Sequence, residues 1–318
     1  MARTPEVWEV DNDAFWDSEG KGIALRNLWI SIPDLLCGFA LWIYWGMIAK
    51  FVQRLHFADK SLFNFLGADG QALSADACRG LLFTLPAVAG LAGATLRIPH
   101  SFMIALCGGR NVKFLTTLML ILPAIGSGIA LQNPETPFFT LVLLAALSGV
   151  GGGAFASSMS NISFFFPKKM QGLVLGLNAG LGNLGVSVMQ FLLPWVITFG
   201  LFGSLGGDPY VIVEAGKESS VWVQNAGLVW VPILGFLVIA TWFFMNNLPQ
   251  HTCGAVPKAF GRYFWLTLLG FGGAAAGVTL LMMDWGGVPE LLKVFVVLVV
   301  TIGVTLALMR FLTPGDTK

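Results

Sequence analysis

The chain has 318 residues, of which 56% are hydrophobic and only 11% are charged, and its formal net charge is +1. Soluble domains carry about 25% charged residues. The shortage of charge therefore argues against a soluble α-helical domain, and the lack of any basic cluster argues against nucleic-acid binding. Long runs without charge instead predict an integral membrane protein.

Eight apolar segments of membrane-spanning length follow one another along the chain. They run approximately over residues 28–51, 79–107, 114–131, 138–166, 172–201, 226–245, 263–283 and 291–311. The acidic stretch 1–26 contains no apolar run, so it predicts a solvated tail without a cleavable signal peptide. The segments predict an all-α fold, a polytopic helical bundle in the membrane.

Lys and Arg in the short loops predict the orientation, because such loops lie mostly on the cytoplasmic side. The residues that support this side are Arg110, Lys113, Lys168, Lys169, Lys258 and Arg262. A basic group near the loop after the first segment is an exception, formed by Lys50, Arg54, Lys60 and Arg79. The balance predicts a multi-pass protein of the cell's cytoplasmic (inner) membrane with both termini in the cytoplasm.

Two long loops, residues 52–78 and 203–225, are then expected on the external side. The second loop is rich in Gly, Asp and Glu and has little to anchor it. It is interpreted as a plain connector.

Arg97, in the stretch GATLRIPHSF, is the most conspicuous polar residue at membrane depth. An arginine at the centre of a membrane helix costs about 2.5–3.5 kcal/mol on insertion scales, so it is a functional candidate. Arg97 lies 11 residues before Gly108, which is roughly 16 Å along a helix. The alternative is a structural ion pair with a carboxylate, but Asp34 and Asp284 both lie near predicted helix ends.

Asn183 and Phe155 are predicted at about the same depth as Arg97. Asn183 lies 11 residues after Gly172, and Phe155 lies 12 residues before Pro167, which places them roughly 16 and 18 Å from those loops. A guanidinium offers a planar fork of donors to planar oxyanions. An amide adds a neutral donor, and a phenyl ring adds a dry wall. The combination predicts a slot for a small planar anion such as nitrate, nitrite or bicarbonate.

Small residues surround this slot in the sequence. Glycines in QGLVLGLNAGLGNLGVSVMQ, including Gly180, allow close approach of neighbouring helices and of a small substrate. Gly152 belongs to the glycine-rich run 149–153 and is interpreted either as a packing position or as a border of the slot.

Other polar residues are weaker candidates. A packing role for His100 is favoured over a proton site, and a helix-end or gating role for Asp34 is favoured over proton coupling. The sequence contains no nucleophile–base or metal-ligand constellation, so an enzyme is not expected, and nothing indicates a metal or an organic cofactor.

The stretch GGGAFASSMSNISFFFPKKMQGLVLGLNAGLGNLGVSVMQ resembles the nitrate/nitrite porter family of the major facilitator superfamily. That family carries an N-A-G-x-G-N-x-G-V-S signature in its fifth helix, and residues 178–187 match it throughout. GATLRIPHSFM and the following GGR are similar to the family's second helix and loop, and NLWISIP resembles its first helix. The resemblance covers about residues 26–246.

The resemblance implies roles for individual residues. It makes Arg97 the anion-binding arginine, Asn183 the signature asparagine that contacts substrate, and Phe155 the aromatic residue that packs against the anion. The small residues implied to line the path are Gly152, Ala179 and Gly180.

The resemblance also implies a division of the chain. The expected parts are a cytoplasmic tail (1–26), the N-terminal six-helix half (27–246), a cytoplasmic link (247–262) and two additional transmembrane helices (263–318). The family's C-terminal half has a second arginine and a second glycine-rich signature, and neither occurs in this sequence. A separate C-terminal half-transporter is therefore an expected partner, besides nitrate, nitrite and the lipid bilayer.

The predicted function is secondary transport of nitrate and nitrite by alternating access, with the anion held at Arg97. Exchange of nitrate for nitrite and proton-coupled uptake both remain open. The alternative is a transport-inactive half-domain, anion-binding or structural, that needs a separate C-terminal half.

Overall fold

The computed structural model describes residues 4–67, 70–214, 216–251 and 254–313. Within these ranges, eight helical spans are long and apolar enough to cross a membrane. The prediction of a polytopic helical membrane bundle is therefore confirmed.

The first span is a nearly continuous helical rod. It comprises α1 (Asp13–Phe15), a π-helical turn (Trp16–Gly20), α2 (Lys21–Ile43) and α3 (Trp45–Ala58). The next spans are α4 (Ala75–Cys107), α5 (Gly109–Ala130), α6 (Phe138–Phe165) and α7 (Lys168–Val196). The sixth span combines α8 (Asn225–Leu228) with α9 (Trp230–Phe244), and the last two are α10 (Val256–Met282) and α11 (Glu290–Leu312).

The N-terminal residues before α2 are partly packed against the bundle rather than fully solvated. Asn12 caps α1, because its side-chain oxygen accepts a hydrogen bond from the backbone N–H of Ala14. Trp8 donates its indole N–H to the carbonyl of Phe164 at 2.9 Å, and the Trp16 ring lies 5.8 Å from that of Phe166. These contacts hold the segment beneath the turn between α6 and α7.

The long loop before α8 contains a β-hairpin, so its interpretation as a plain connector is wrong. Strands β1 (Tyr210–Glu214) and β2 (Lys217–Val221) pair antiparallel, with Tyr210 opposite Val221. The Tyr210 hydroxyl donates to the carbonyl of Leu131 at 2.9 Å. Burial raises the pKa of Tyr210 to about 12, which keeps this donor protonated. The hairpin is thereby anchored to the end of α5.

α6 lies at the centre of the bundle and packs against α2, α4 and α5. Its glycines permit this, because a Cβ at Gly149 would lie 2.6 Å from the Cβ of Ala92, and one at Gly151 would collide with the carbonyl of Gly38. The packing interpretation of this run is therefore correct for both positions. α10 packs against α4 and α11, on a different part of the bundle from α7.

The glycines of α7 divide into two groups. A Cβ at Gly182 would lie 2.7 Å from the Leu35 side chain, and one at Gly185 would collide with the carbonyl of Leu36, so both allow α7 to approach α2. Gly172, Gly176 and Gly180 have no atom within 4 Å of a built Cβ. One face of α7 is thus closely packed and the other is open.

Candidate functional site

Arg97 lies half-buried on α4 between two aromatic rings. Its guanidinium carbon is 5.2 Å from the ring centroids of both Trp42 and Phe155, within cation–π range. Its Nε donates to the carbonyl of Gly152 at 3.2 Å. The hydrogen bonds formed within the described residues leave both terminal nitrogens of Arg97 unused. The forked end of the guanidinium is therefore available to a ligand.

Trp42, on α2, is a wall of this site that sequence reasoning missed. Its indole N–H donates to the carbonyl of Ala89 at 2.7 Å, which fixes the ring against α4. A Cβ at Gly93 would collide with this indole, so glycine is required there. Its position in the sequence could have indicated a role, because tryptophan is enriched at membrane interfaces whereas Trp42 lies inside a predicted span.

Gly152 is both a packing residue and a contact of Arg97. A Cβ added there would lie 2.6 Å from the Trp42 ring and 2.8 Å from the Cα of Gly93. Its carbonyl holds the Nε of Arg97. The absence of a side chain therefore allows the aromatic wall and the guanidinium to meet.

A small aromatic cluster completes this side of the site. The Phe39 ring lies 5.8 Å from both Trp42 and Phe155, and Leu35, Ala154 and Val186 pack against the group. The rings of α2 and α6, with Val186 of α7 packed against them, form an apolar wall next to the guanidinium.

Asn183, Ala179 and Gly180 lie on α7 and are not in contact with this cluster. Asn183 is exposed, and its side-chain amide donates to the carbonyl of Ala179 in its own helix at 2.8 Å. Gly180 is exposed as well, and Ala179 is half-buried. The structure therefore brings together Arg97, Phe155 and Gly152, and leaves the α7 residues on an open face.

The register between α6 and α7 nevertheless puts Asn183 near the depth of the cluster. Asn178 donates to the hydroxyl of Ser158 at 3.0 Å. The two helices are consecutive and antiparallel. Gly153 lies five residues before Ser158 on α6, and Asn183 lies five residues after Asn178 on α7, so the two residues are at about the same depth. Val186, one turn beyond Asn183, packs against the aromatic cluster. Asn183 thus lies at the side of the slot, with its amide turned along its own helix.

Asp34 forms a buried ion pair, which corrects its expected helix-end position. Its carboxylate pairs with the ammonium of Lys113 on α5 and accepts a hydrogen bond from the hydroxyl of Thr117. Lys113 is fully buried, so its side chain is not a charge of a cytoplasmic loop. Within the described residues, no carboxylate pairs with Arg97, so they supply no structural ion pair for this arginine.

His100 is enclosed one turn from Arg97. Its Nδ1 lies 3.0 Å from the hydroxyl of Ser157, and its ring meets that of Tyr263 edge-on at 6.1 Å. The imidazole is fully buried between α4, α6 and α10, as a packing residue requires.

The arrangement can hold a small planar anion. An unpaired guanidinium in a partly dry site attracts negative charge strongly, and its flat neighbours suit a flat ligand. The described residues contain no group of three His, Cys, Asp or Glu side chains that could hold a metal ion.

Comparison with known proteins gives a consistent set of relatives. No protein-family model matches the chain. The nitrate/nitrite transporter NarU of Salmonella typhimurium is 42% identical over 265 residues, which is 82% of this chain and 53% of that protein. NarU of Escherichia coli is 40% identical over the same shares. The probable nitrate/nitrite antiporter NarK2 of Thermus thermophilus is 39% identical over 243 residues, which is 76% of this chain and 50% of that protein.

The chain spans about half the length of the curated relatives that it matches. The identity is nevertheless high and covers most of this chain. Over that stretch, the chain is therefore a homologue of the nitrate/nitrite transporters, and its signature and its relatives agree on the nitrate/nitrite porter family of the major facilitator superfamily.

Proposed function

We propose that this chain binds nitrate and nitrite at Arg97 and serves as one half of a secondary transporter that works by alternating access. The observation that carries the proposal is the unpaired fork of Arg97 between Trp42 and Phe155. Nitrate and nitrite are planar anions, and each can present two of its oxygens to two parallel N–H donors of a guanidinium. The relatives named as nitrate/nitrite transporters and antiporters support this substrate class.

The α7 face supplies the second side of the proposed slot. Asn183 lies near the same depth, and rotation of its side chain away from the Ala179 carbonyl would free an amide donor for the anion. The open glycine face beside it leaves room for a ligand and for a partner helix. We assign Ala179 and Gly180 to the lining of the path on the same grounds, and Gly152 because its carbonyl holds the Nε of Arg97.

The proposed division of the chain follows the predicted one. Residues 27–246 form the N-terminal half, 263–318 add two helices, and 1–26 and 247–262 are cytoplasmic. The partner would be a C-terminal half-transporter in the cytoplasmic membrane, since the relatives are about twice as long as the matched region. Rocking of the two halves around the bound anion would expose it to each side in turn.

Exchange of nitrate for nitrite is favoured over proton coupling. The Asp34 carboxylate, which is buried in the described part of the bundle, is already neutralised by Lys113. Within the described residues, no buried carboxylate is therefore left without a cationic partner to serve in proton coupling.

Binding is tested first, on the purified chain in detergent. Nitrate is expected to raise the melting temperature relative to chloride at equal ionic strength, because a ligand at 100 times its dissociation constant stabilises the folded state by about 2.7 kcal/mol. Arg97→Lys is expected to abolish the shift, because a lysine has no planar fork. The matched control is Arg79→Lys, an exposed arginine in the first turns of the same helix. An unchanged shift in Arg97→Lys would remove Arg97 from the site.

Transport is tested in proteoliposomes that contain the chain together with the C-terminal half of a NarU relative. Internal nitrate is expected to exchange for external nitrite, and Arg97→Lys is expected to lose this exchange while Arg79→Lys retains it. Nitrate binding without exchange would support the alternative, a transport-inactive anion-binding half-domain.

A further inference from the structure

The ion pair between Asp34 and Lys113 joins α2 to α5 inside the bundle. Lys113 is fully buried and Asp34 is 3% exposed, so water screens neither charge. Thr117 donates a further hydrogen bond to the carboxylate. The pair is electrically neutral as a unit, although each charge alone would produce a strong local field.

The pair lies close enough to Arg97 for that field to matter. Trp42, which flanks Arg97, lies eight residues after Asp34 on the same helix, or roughly 12 Å along its axis. If this axial distance to Trp42 is taken as the separation from the anion site, a unit charge at about 12 Å and an effective dielectric constant of about 20 changes the binding constant of a monovalent anion by about tenfold. An unneutralised carboxylate would therefore oppose anion binding at Arg97.

Other charged groups near the pair leave this balance unchanged. Arg110 lies in the first turn of α5, where its guanidinium covers the Trp242 ring at 4.9 Å and donates to Asn111. In the described ranges, Asp34 is the carboxylate that is buried. Lys113 is the group that cancels it.

We propose that Lys113 is a specificity-determining residue, which neutralises Asp34 and thereby preserves the positive potential that favours anions at Arg97. Lys113 does not touch the ligand, and it acts through the field. The effect of Lys113 on nitrate binding rests on the function proposed above. Its effect on the electrostatic potential at position 97 rests on the geometry alone.

A purely structural ion pair makes a different prediction. If the pair only fixed α2 against α5, loss of either charge would weaken nitrate binding in the same direction. If the pair sets the potential, Asp34→Asn leaves an extra positive charge and strengthens binding, whereas Lys113→Met leaves an extra negative charge and weakens it. The opposite signs distinguish the two roles.

The first experiment measures nitrate affinity by the thermal shift of the folded protein. The expected dissociation constant falls up to about tenfold in Asp34→Asn, rises up to about tenfold in Lys113→Met, and returns near wild type in the double variant. Thr117→Val, which removes a hydrogen bond but no charge, is the matched control and should leave the constant unchanged. If Lys113→Met does not fold, the double variant takes its place, because it buries no unpaired charge. Asp34→Asn should then bind nitrate more tightly than the double variant does. Weaker binding in both Asp34→Asn and Lys113→Met would overturn the proposal.

The second experiment measures the potential without nitrate. Arg97→Cys is introduced after the four native cysteines are replaced by alanine. The introduced thiol is then labelled with an anionic sulfonate or a cationic trimethylammonium methanethiosulfonate. The ratio of anionic to cationic labelling rates should rise with Asp34→Asn and fall with Lys113→Met. The same labelling ratio in both variants would overturn the proposal. If the ratios change as expected but the wild-type protein does not bind nitrate, only the function proposed for Arg97 is rejected.

Discussion

The two sides of the predicted anion slot differ in how completely this chain builds them. The side formed by α2, α4 and α6 is closely packed, with Gly151 against Gly38 and Trp42 fixed against Gly93. The side formed by α7 exposes Gly176 and, within the glycine-rich signature, Gly180 and Asn183. Glycine thus serves two purposes in one molecule, since it lets helices meet on one side and leaves room on the other.

This difference indicates which side of the slot is built from helices of this chain. Arg97 receives its aromatic neighbours and its backbone acceptor from helices within the chain. Among the described residues, the side chain of Asn183 hydrogen-bonds to the Ala179 carbonyl of its own helix and to no other helix. Polar side chains at membrane depth normally face a bundle interior or a water-filled cavity, so the α7 face is the part of the slot that a partner half is expected to complete.

The largest expected contrast is between glycines of the two sides. Gly151→Ala places a methyl group into the backbone carbonyl of Gly38, which cannot move away as a flexible side chain could. Such overpacking costs about 1–3 kcal/mol or more. Gly176→Ala meets no atom within 4 Å, and alanine favours the helix by up to about 1 kcal/mol. Thermal unfolding in detergent compares them, and equal melting temperatures would mean that the two sides do not differ in packing.

A smaller contrast is expected between the two asparagines of the signature. Asn178→Ala removes a buried amide that bonds Ser158, which bonds Ser31 in turn. The loss should cost about 1–3 kcal/mol, because the buried hydroxyl of Ser158 loses its donor. Asn183→Ala should leave stability within about 0.5 kcal/mol, as a surface substitution does, and lower only nitrate affinity in the assembled transporter. A similar loss of stability in both variants would contradict the division of α7 into a packed and an open face.

The smallest predicted effect concerns Trp42, on the closely packed side of the slot. Trp42→Phe keeps an aromatic ring near Arg97 but loses the hydrogen bond to Ala89. Nitrate affinity should fall by about fivefold, because one cation–π contact and its orientation are worth about 1 kcal/mol. Trp265→Phe, a tryptophan of α10 whose indole N–H bonds the carbonyl of Leu312, is the matched control. Isothermal titration with nitrate measures both, and an unchanged affinity in Trp42→Phe would show that the indole is dispensable.

Sequence reasoning recovered the spans and the Arg97 group well, because both depend on local and periodic features. The length of each apolar run is set by the bilayer, and helix rise alone converts sequence distance from a loop into depth. Helix rise thus predicts a common depth for Arg97 and Phe155, which lie in contact. It could not give the direction in which Asn183 points, since the direction depends on which face of α7 packs against α2.

Long-range partners were the main features that sequence reasoning missed. Lys113 was counted with the loop charges because it follows GGR, whereas α5 already begins at Gly109 and buries this side chain against Asp34. The hairpin of Tyr210–Val221 was missed because its anchor, the Leu131 carbonyl, lies far away in the chain.

By itself, the sequence of this protein determined that eight segments are long and apolar enough to cross a membrane and that Arg97, Phe155 and the glycines of α7 lie within them. Composition and periodicity are sufficient for this, because the hydrocarbon core penalises every unpaired polar group. Only the tertiary structure decided which charges neutralise one another. It paired Asp34 with Lys113 and left Arg97 between two rings, since pairing depends on which helix faces meet, and that is set by packing across the whole bundle.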